Sequence, residues 1–432
     1  MNSIGNLSVK EATERLLSGL VPLESEFVDL EQALGRVLAQ DVVASTSLPP
    51  FDNSAMDGFA VRAADVRTAT RDNPAVLRVS GDIPAGSVEL QALAQGAAMR
   101  IMTGACMPSG ADAVVPVEKT SSPEPMAGNK LPERVEVLSP VDPGEYIRRK
   151  GSDVVGGQKV LAAGACIGAP HVGMLGSLGV AEVSVYRQPK VAILSTGDEL
   201  VEINKPLRPG QIRDGNGYAL AAAVRQAGGL PLRLGIVADD LDSLVARLEK
   251  AIASEADVIL SSAGVSLGAY DFVRSAVERD GRLNFWKVNI RPGKPLVSGT
   301  FKGVPFVGLP GNPVSALVTF EVFVRPMLDR LSGLRGTERA RVRAGVTERV
   351  SSDGRESYLR GIVNWQAGGY HVRLAGSQDS SVMSSMIRAN ALIVLPAGSQ
   401  AVEVGGEVEV WLLGRVGAGC NDSGREEGES QG

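Results

Sequence analysis

Between residues 189 and 330, apolar runs of strand length alternate with amphipathic runs of helix length, and this alternation constrains the fold more than any other feature. PKVAILSTGDEL is an apolar run that breaks into a small, acidic loop, and NGYALAAAVRQAGG reads as a helix with a glycine stop. LRLGIVADD gives a second strand, LDSLVARLEKAIASEA a second helix, and ADVILSSAGVS a third strand opening into a Gly/Ser loop. FWKVNIRPGKP and VPFVGLPGNPVSALVTFEVFVRPML add further strands and another helix. Strands and helices alternating at these lengths pack as a parallel sheet with helices on both faces. Ligands of such sheets bind outside the carboxyl ends of the strands.

The flanking sequence has other patterns. Residues 8–40 read as helical: SVKEATERLLSGL has apolar residues at helical spacing, with Ser8 and Glu11 in a capping-box pattern, and EQALGRVLAQD repeats the period. Residues 41–147 turn to Pro, Gly and short Val/Ile runs, which read as short strands with tight turns. The glycine-rich segment 150–186, with HVGMLGSLG as a helix ending in glycine, is expected to return onto the N-terminal helices. From 338 to 413 strand-like runs resume and suggest a small barrel or sandwich. The expected architecture is multidomain α/β plus β. A discontinuous linker domain (1–47 and 148–186) carries a small β domain (48–147). A central doubly wound α/β domain (187–332) and a C-terminal β-barrel-like domain (333–416) follow, and a polar tail (417–432) is expected to be disordered.

Composition removes several function classes. The net charge of -5 gives no general attraction to nucleic acid or anionic lipid. No apolar run approaches the roughly 18–20 residues that span a bilayer. MNSIGNLSVKEATERLL is not a signal peptide, and Cys106, Cys166 and Cys420 have no disulfide or zinc spacing. These features favour the cytoplasm. With two histidines, a Ser-His-Asp triad or a His-rich metal site is improbable. A divalent cation would take oxygen ligands, which suits Mg²⁺.

The strand-end loops share a character. STGDEL offers Thr196, Gly197, Asp198 and Glu199; VADD offers Asp239 and Asp240. SSAGVSLGAYD offers Ser262, Gly264 and Ser266, then Asp271. GLPGNPVSA places Pro310, Gly311, Asn312 and Pro313 in a rigid turn directly before a helix. A helix N-terminus with free amides is a natural phosphate site. Amide cradles beside carboxylates are what a phosphate ester with a bound cation needs. WKVNIRPGKP supplies Lys287, Arg291 and Lys294; Lys287 and Arg291 are four apart and in a strict strand would face the same way. These donors would suit a small oxyanion. In the β domain, Asp52 and Asn53 of LPPFDNSAMDGFAVR read as turn formers and Asp57 as the better functional candidate. IRRKGSD sets three cations just before Asp153, a pattern that also fits a solvated charge run.

These stretches resemble the molybdopterin molybdenumtransferases, the family of bacterial MoeA and the gephyrin E domain. The matching segments are LPPFDNSAMDGFAVR, RIMTGACMPSGADAVVPVE, RRKGSD, STGDEL, SSAGVSLGAYD, RPGKP and GLPGNPVSA, with weaker matches through the C-terminal β region. The resemblance implies a homodimer whose cleft joins the α/β domain of one subunit to the β domain of the other. It implies insertion of molybdate into adenylylated molybdopterin with release of AMP, with Mg²⁺ as the helper ion. A contact with the molybdopterin adenylyltransferase is a further expectation. Carried over residue by residue, Asp57, Asp153, Glu199, Asp239 and Asp271 match acidic positions of the family. Lys287 matches a lysine, and Arg291 falls where the bacterial pattern often has lysine. Pro310 and Pro313 match the turn prolines, and Arg360 and Ser380 match residues proposed to bind the oxyanion. The implied ligands of Mg²⁺ are Asp239, Asp271 and Glu199. Three departures stand out: Arg291 exchanges an ammonium for a planar fork, Ala263 replaces a glycine, and Asp379 replaces the glycine before Ser380. An adenylyltransferase with a related α/β domain, or a binding-only scaffold, are the competing expectations. The flanking β regions argue against the first and the intact charged set against the second.

Overall fold

The computed structural model describes residues 7–87, 91–121, 130–262, 275–277, 279–336, 339–366 and 368–414. Its centre is a six-stranded sheet built from β1 (Lys190–Thr196), β2 (Leu230–Val237), β3 (Val258–Ser262), β4 (Gly281–Lys287), β5 (Pro295–Phe301) and β6 (Val304–Leu309). The order across the sheet is β2-β1-β3-β6-β5-β4. The first four are parallel, and β5 runs against both of its neighbours. Helix α1 (Gly215–Gln226) links β1 to β2, and α2 (Leu241–Ala253) links β2 to β3.

Alternation along the strands puts the two helices on opposite faces. Val191, Ile193, Val258 and Leu260 pack with Leu220 and Val224 of α1, whereas Ala192, Leu194 and Ile259 pack with Leu244 and Leu248 of α2. A strand buried on both faces reads as a continuous apolar run, which is why the sequence shows these segments without a polar face. After β6, α3 (Pro313–Thr319) continues through a π turn at Phe320–Val324 into a helix at Arg325–Leu331. The expected α/β fold class is therefore present, with both sheet faces covered.

The C-terminal strands close on themselves. Glu356–Gln366 pairs with Gly369–Leu374 on one side and Ala391–Leu395 on the other, and Arg341–Val346 and Glu407–Leu412 complete the ring. Of the barrel and sandwich alternatives, the barrel forms. The β domain is a five-stranded sheet in the order Ala113–Pro116, Gly58–Val61, Ala97–Ile101, Ala75–Ile83, Arg134–Val137. Ser25–Asp29 pairs with Glu182–Tyr186, and Val42–Val43 with Lys159–Leu161, so 150–186 does return to the N-terminal segment.

Two local expectations are corrected. The capping box forms at Ser8 and Glu11 and starts a helix at Val9–Leu17, but EQALGRVLAQD is not helical beyond a single turn at Leu30–Gln32. Gly35 sits at φ 77°, and the chain after it hydrogen-bonds across to Ala165, Ile167 and Ser184. Apolar residues at helical spacing there are core residues of an irregular β segment. The Val9–Leu17 helix, grouped by sequence with the linker domain, buries Val9, Ala12 and Leu16 in the same core as β1, α1 and the Arg325–Leu331 helix. Lys287 and Arg291 do not share a strand: β4 ends at Lys287, and Ile290–Arg291 pairs with Glu356–Ser357 of the barrel. The chain changes sheets between them, so the period-two rule does not carry across. The 417–432 tail lies outside the described residues.

Candidate functional site

Register aligns the strand ends. Ser195 lies beside Ser262, Ser262 beside Leu309, and Thr196 beside Val237. The loops that follow all leave the same edge of the sheet. Gly197 takes φ 146°, and a side chain there would meet the Glu199 carboxylate, so glycine is needed to bring Glu199 back over its own loop. Asp198 Oδ1 accepts from the Asp239 backbone N–H at 3.2 Å. Burial, and then the charges of Asp198 and Glu199, push the Asp239 carboxyl above its ordinary value. This loop pair therefore concentrates negative charge.

At the same edge, polar side chains are buried without partners. Ser195 and Thr196 are 1% and 3% exposed, and neither hydroxyl makes a hydrogen bond among the described residues. Asp214 caps α1 by accepting from the Gly217 N–H at 2.8 Å. Asn216 Nδ2 donates to Ser262 Oγ at 2.9 Å and to the Gly311 carbonyl at 2.7 Å. Buried hydroxyls left unpaired cost stability unless something else satisfies them. Ala263, Gly264, Ser266 and Asp271 lie outside the described residues.

The second feature is a cavity of about 570 Å³ between the α/β domain and the barrel. Arg291, Lys294, Pro310, Gly311, Asn312, Arg360 and Ser380 line it, and all seven were singled out from sequence. Gly293 permits the bend that aims Lys294 inward: it takes φ 106°, and a Cβ there would strike Thr319 at 2.3 Å. Asn312 Nδ2 donates to Ser380 Oγ at 2.7 Å, and the Val314 N–H donates to the Ser380 carbonyl, tying the LPGNP turn to the barrel. Pro313 opens α3, where a missing N–H costs nothing.

Arg360 is 1% exposed. Its guanidinium donates to Ser385 Oγ and to the carbonyls of Ser377 and Asp379. No carboxylate stands within ion-pair distance of Arg360, Arg291 or Lys294 among the described residues. Burial, followed by the neighbouring Arg291 charge, lowers the Arg360 pKa to about 10. A buried cation without a counter-ion is strained electrostatically, and an anion in the cavity relieves that strain. Asp379 turns its carboxylate back onto Ser381, with its Oδ1 accepting from N at 2.8 Å and from Oγ at 2.7 Å. The Asp379 charge is thus held in a local turn at the cavity's margin.

The remaining expected residues lie elsewhere. Lys287 is at the end of β4 and does not line the cavity. Asp57 is exposed in the β domain, where its Oδ1 accepts from the Thr103 N–H at 2.6 Å and from Oγ1 at 2.8 Å. Asp153 is exposed too, with its backbone N–H donating to the Leu48 carbonyl. Asp52 is a clasp, bonding Arg149 at 2.6 Å and the Lys150 N–H at 2.8 Å, which joins the two loops of that domain. Sequence reasoning missed Asn216, Arg355 and Gln378. Asn216 sits in RDGNGY, where Asp and Gly announce only a turn and helix cap. Among the described residues, no three His, Cys, Asp or Glu groups form a ready-made metal cage. The crowding of Asp198 and Glu199 about Asp239 still fits a hard cation that keeps most of its waters.

A doubly wound α/β domain joined to a closed barrel, with a cation-lined cavity between them, defines a multidomain α/β protein with a β-barrel partner domain. Comparison with known proteins narrows this. Family models match at 7–179 (MoeA N-terminal region, domain I and II), 192–330 (probable molybdopterin binding domain) and 343–413 (MoeA C-terminal region, domain IV). A molybdopterin molybdenumtransferase of Nostoc is 42% identical, with 93% of each chain covered. That of Haemophilus influenzae is 37% identical, covering 94% of this chain and 98% of its own. A solved molybdopterin biosynthesis MoeA protein from Pyrococcus horikoshii superposes with a TM-score of 0.78 at 33% identity, covering 95% of this chain and 100% of its own. The chain belongs to the molybdopterin molybdenumtransferase (MoeA) family. It is a transferase of molybdenum cofactor biosynthesis.

Proposed function

We propose that this chain inserts molybdate into adenylylated molybdopterin and releases AMP, in the cytoplasm. The observation that carries the reading is the cavity: Arg291, Lys294 and Arg360 line it without an ion-paired carboxylate among the described residues, beside a strand edge whose Ser195 and Thr196 hydroxyls are unsatisfied there. The cavity takes the molybdate. The strand edge, with Thr196, Gly197, Ser262 and the Gly/Ser loop that includes Gly264 and Ser266, takes the phosphate ester.

Arg360 and Ser380 hold the oxyanion from the barrel side, and Lys294, Gly311 and Asn312 from the α/β side. Arg291, with its planar fork, spans two oxygens where an ammonium would contact one. Asp239 and Glu199, with Asp271, would hold Mg²⁺. That ion would neutralise phosphoryl charge as the bond to AMP breaks. A water or a molybdate oxygen attacks the phosphoanhydride. AMP leaves, and the oxyanion is already beside the dithiolene. Positioning supplies most of such a rate, because both reactants are fixed before reaction.

Asp57, in the β domain, and Asp153, in the segment that follows it, do not line the cavity. In this reading a second copy of the chain delivers them, so the working unit is a homodimer. The adenylyltransferase that makes the substrate is a partner at handover.

The test is AMP release from adenylylated molybdopterin, with and without molybdate and Mg²⁺. AMP appearing only with molybdate supports the reading. AMP release that ignores molybdate, or consumption of ATP instead, removes it.

A further inference from the structure

The Asn216 side chain touches both halves of the site. Its Nδ2 donates to Ser262 Oγ, at the carboxyl end of β3, over 2.9 Å. The same group donates to the Gly311 carbonyl over 2.7 Å, in the turn that lines the oxyanion cavity. Both N–H bonds of one amide are used, so the two acceptors are held at a fixed separation. From Gly311 the connection continues: Asn312 Nδ2 reaches Ser380 Oγ at 2.7 Å, and the Val314 N–H reaches the Ser380 carbonyl at 3.2 Å. Ser380 lies on the barrel loop whose neighbour, the Asp379 carbonyl, accepts from Arg360 at 2.9 Å. A chain of short hydrogen bonds thus runs from the strand edge, through Asn216 and the LPGNP turn, to the buried guanidinium.

The Asn216 end is anchored firmly. Asp214 is 2% exposed and caps α1, and Gly217 leaves no room for a side chain, since a Cβ would lie 2.4 Å from Asp214 Oδ2. The helix start that carries Asn216 therefore cannot shift without moving its cap. Ser262 is itself 1% exposed. The Asn216 amide is therefore the route by which a displacement at the β3 end would reach Gly311.

We propose that Asn216 is a positioning residue that couples occupation of the strand edge to the affinity of the oxyanion cavity. Resting on the reading above, it makes molybdate bind more tightly once the pterin phosphate ester is in place. Molybdate held without its acceptor is unproductive, and coupling delays its capture until the acceptor is present. Such coupling is reciprocal in binding terms and typically amounts to about 5–150-fold.

The experiment measures AMP release by the full chain with Mg²⁺ and reads the apparent KM for molybdate at low and at saturating adenylylated molybdopterin. Equilibrium binding of molybdate alone accompanies it. In the wild-type chain the KM is expected to fall at least fivefold at saturation. In Asn216→Ala the two KM values are expected to agree within twofold, while molybdate alone still binds. Ser262→Ala, which cuts the same link from its other end, is expected to behave likewise, and the double variant to lose no more than either single one. A merely structural role would lower kcat or thermal stability and leave the dependence intact. A wild-type KM independent of the pterin substrate, or a dependence preserved in Asn216→Ala, overturns the coupling while the insertase reading stands. A wild-type chain that binds no molybdate overturns the cavity assignment and the coupling together.

Discussion

Asn312 and Ser380 meet across the seam between the α/β domain and the barrel, amide to hydroxyl, at 2.7 Å. The two residues are 68 positions apart in sequence, and their contact shuts one wall of the cavity. Ser380→Ala removes this hydroxyl at a half-buried position, so the fold is expected to lose only about 0.5–1.5 kcal/mol. The seam loosens at the point where the oxyanion binds. Molybdate affinity is expected to drop several-fold while the melting temperature moves little. Titration calorimetry beside thermal melts checks this, and equal losses in both would make the contact purely structural.

Arg360 carries a sharper expectation. One charge-assisted hydrogen bond contributes about 1.5–3 kcal/mol, so Arg360→Ala is expected to weaken molybdate binding by at least tenfold. Arg360→Lys keeps a charge but cannot reach Ser385 Oγ and the carbonyls of Ser377 and Asp379 together, so it should not restore affinity. The pKa lowered to about 10 by burial and then by Arg291 adds a pH test. The folded protein sheds this proton before the unfolded chain does. Oxyanion affinity is expected to decline as pH rises through 10, while this group's own cost to stability is relieved. Affinity unchanged up to pH 11 would place the anion elsewhere.

Much of this site was readable from sequence because it uses residue types in local runs. The RPGKP and LPGNP turns declare themselves through Pro and Gly, and both line the cavity. Arg360 and Ser380 were reached only through family resemblance, because nothing local in SYLRG or QDS marks a site; their role depends on barrel closure. Asn216 escaped for a related reason: its partners, Ser262 and Gly311, are 46 and 95 positions away. The misread helix at EQALGRV shows the converse limit. Ala33, Val37 and Leu38 are buried at spacings a helix would also give, and Gly35 with its positive φ decides against it. The four-residue spacing of Lys287 and Arg291 failed because the chain leaves one sheet for another between them.

Asp239 tests the acidic side. Its carboxyl is raised by burial first and by Asp198 and Glu199 second, so ionised Asp239 costs the folded state stability. Because the folded pKa lies above the unfolded one, this cost grows as pH rises through the folded value and fades below it. Asp239→Asn is expected to stabilise the metal-free protein at neutral pH while abolishing most Mg²⁺-dependent AMP release. Mg²⁺ should raise the wild-type melting temperature more than that of the variant. Equal Mg²⁺ responses would remove Asp239 from the cation's ligands.

Asp329 provides a pH test remote from the site. It is 8% exposed, next to Arg325 in the helix after the π turn, and burial pushes its pKa to about 6 against the pull of Arg325 and Arg339. Glu321 adds to the rise. Carried from 3.8 to about 6, the ionised group costs the fold about 3 kcal/mol at pH 8. As pH falls through 6 the folded state takes the proton while the unfolded chain stays charged, so stability is regained, with no further gain below 3.8. Asp329→Asn removes the charge at nearly constant volume. It is expected to be the more stable protein at pH 8, with the gap to wild type closing between pH 7 and 4. Other carboxylates titrate in that range, but they act on both proteins and cancel in the difference. Denaturant unfolding of the pair across pH 4–8 makes the comparison. Stability curves that run parallel would mean that the Asp329 charge is already compensated in the folded protein.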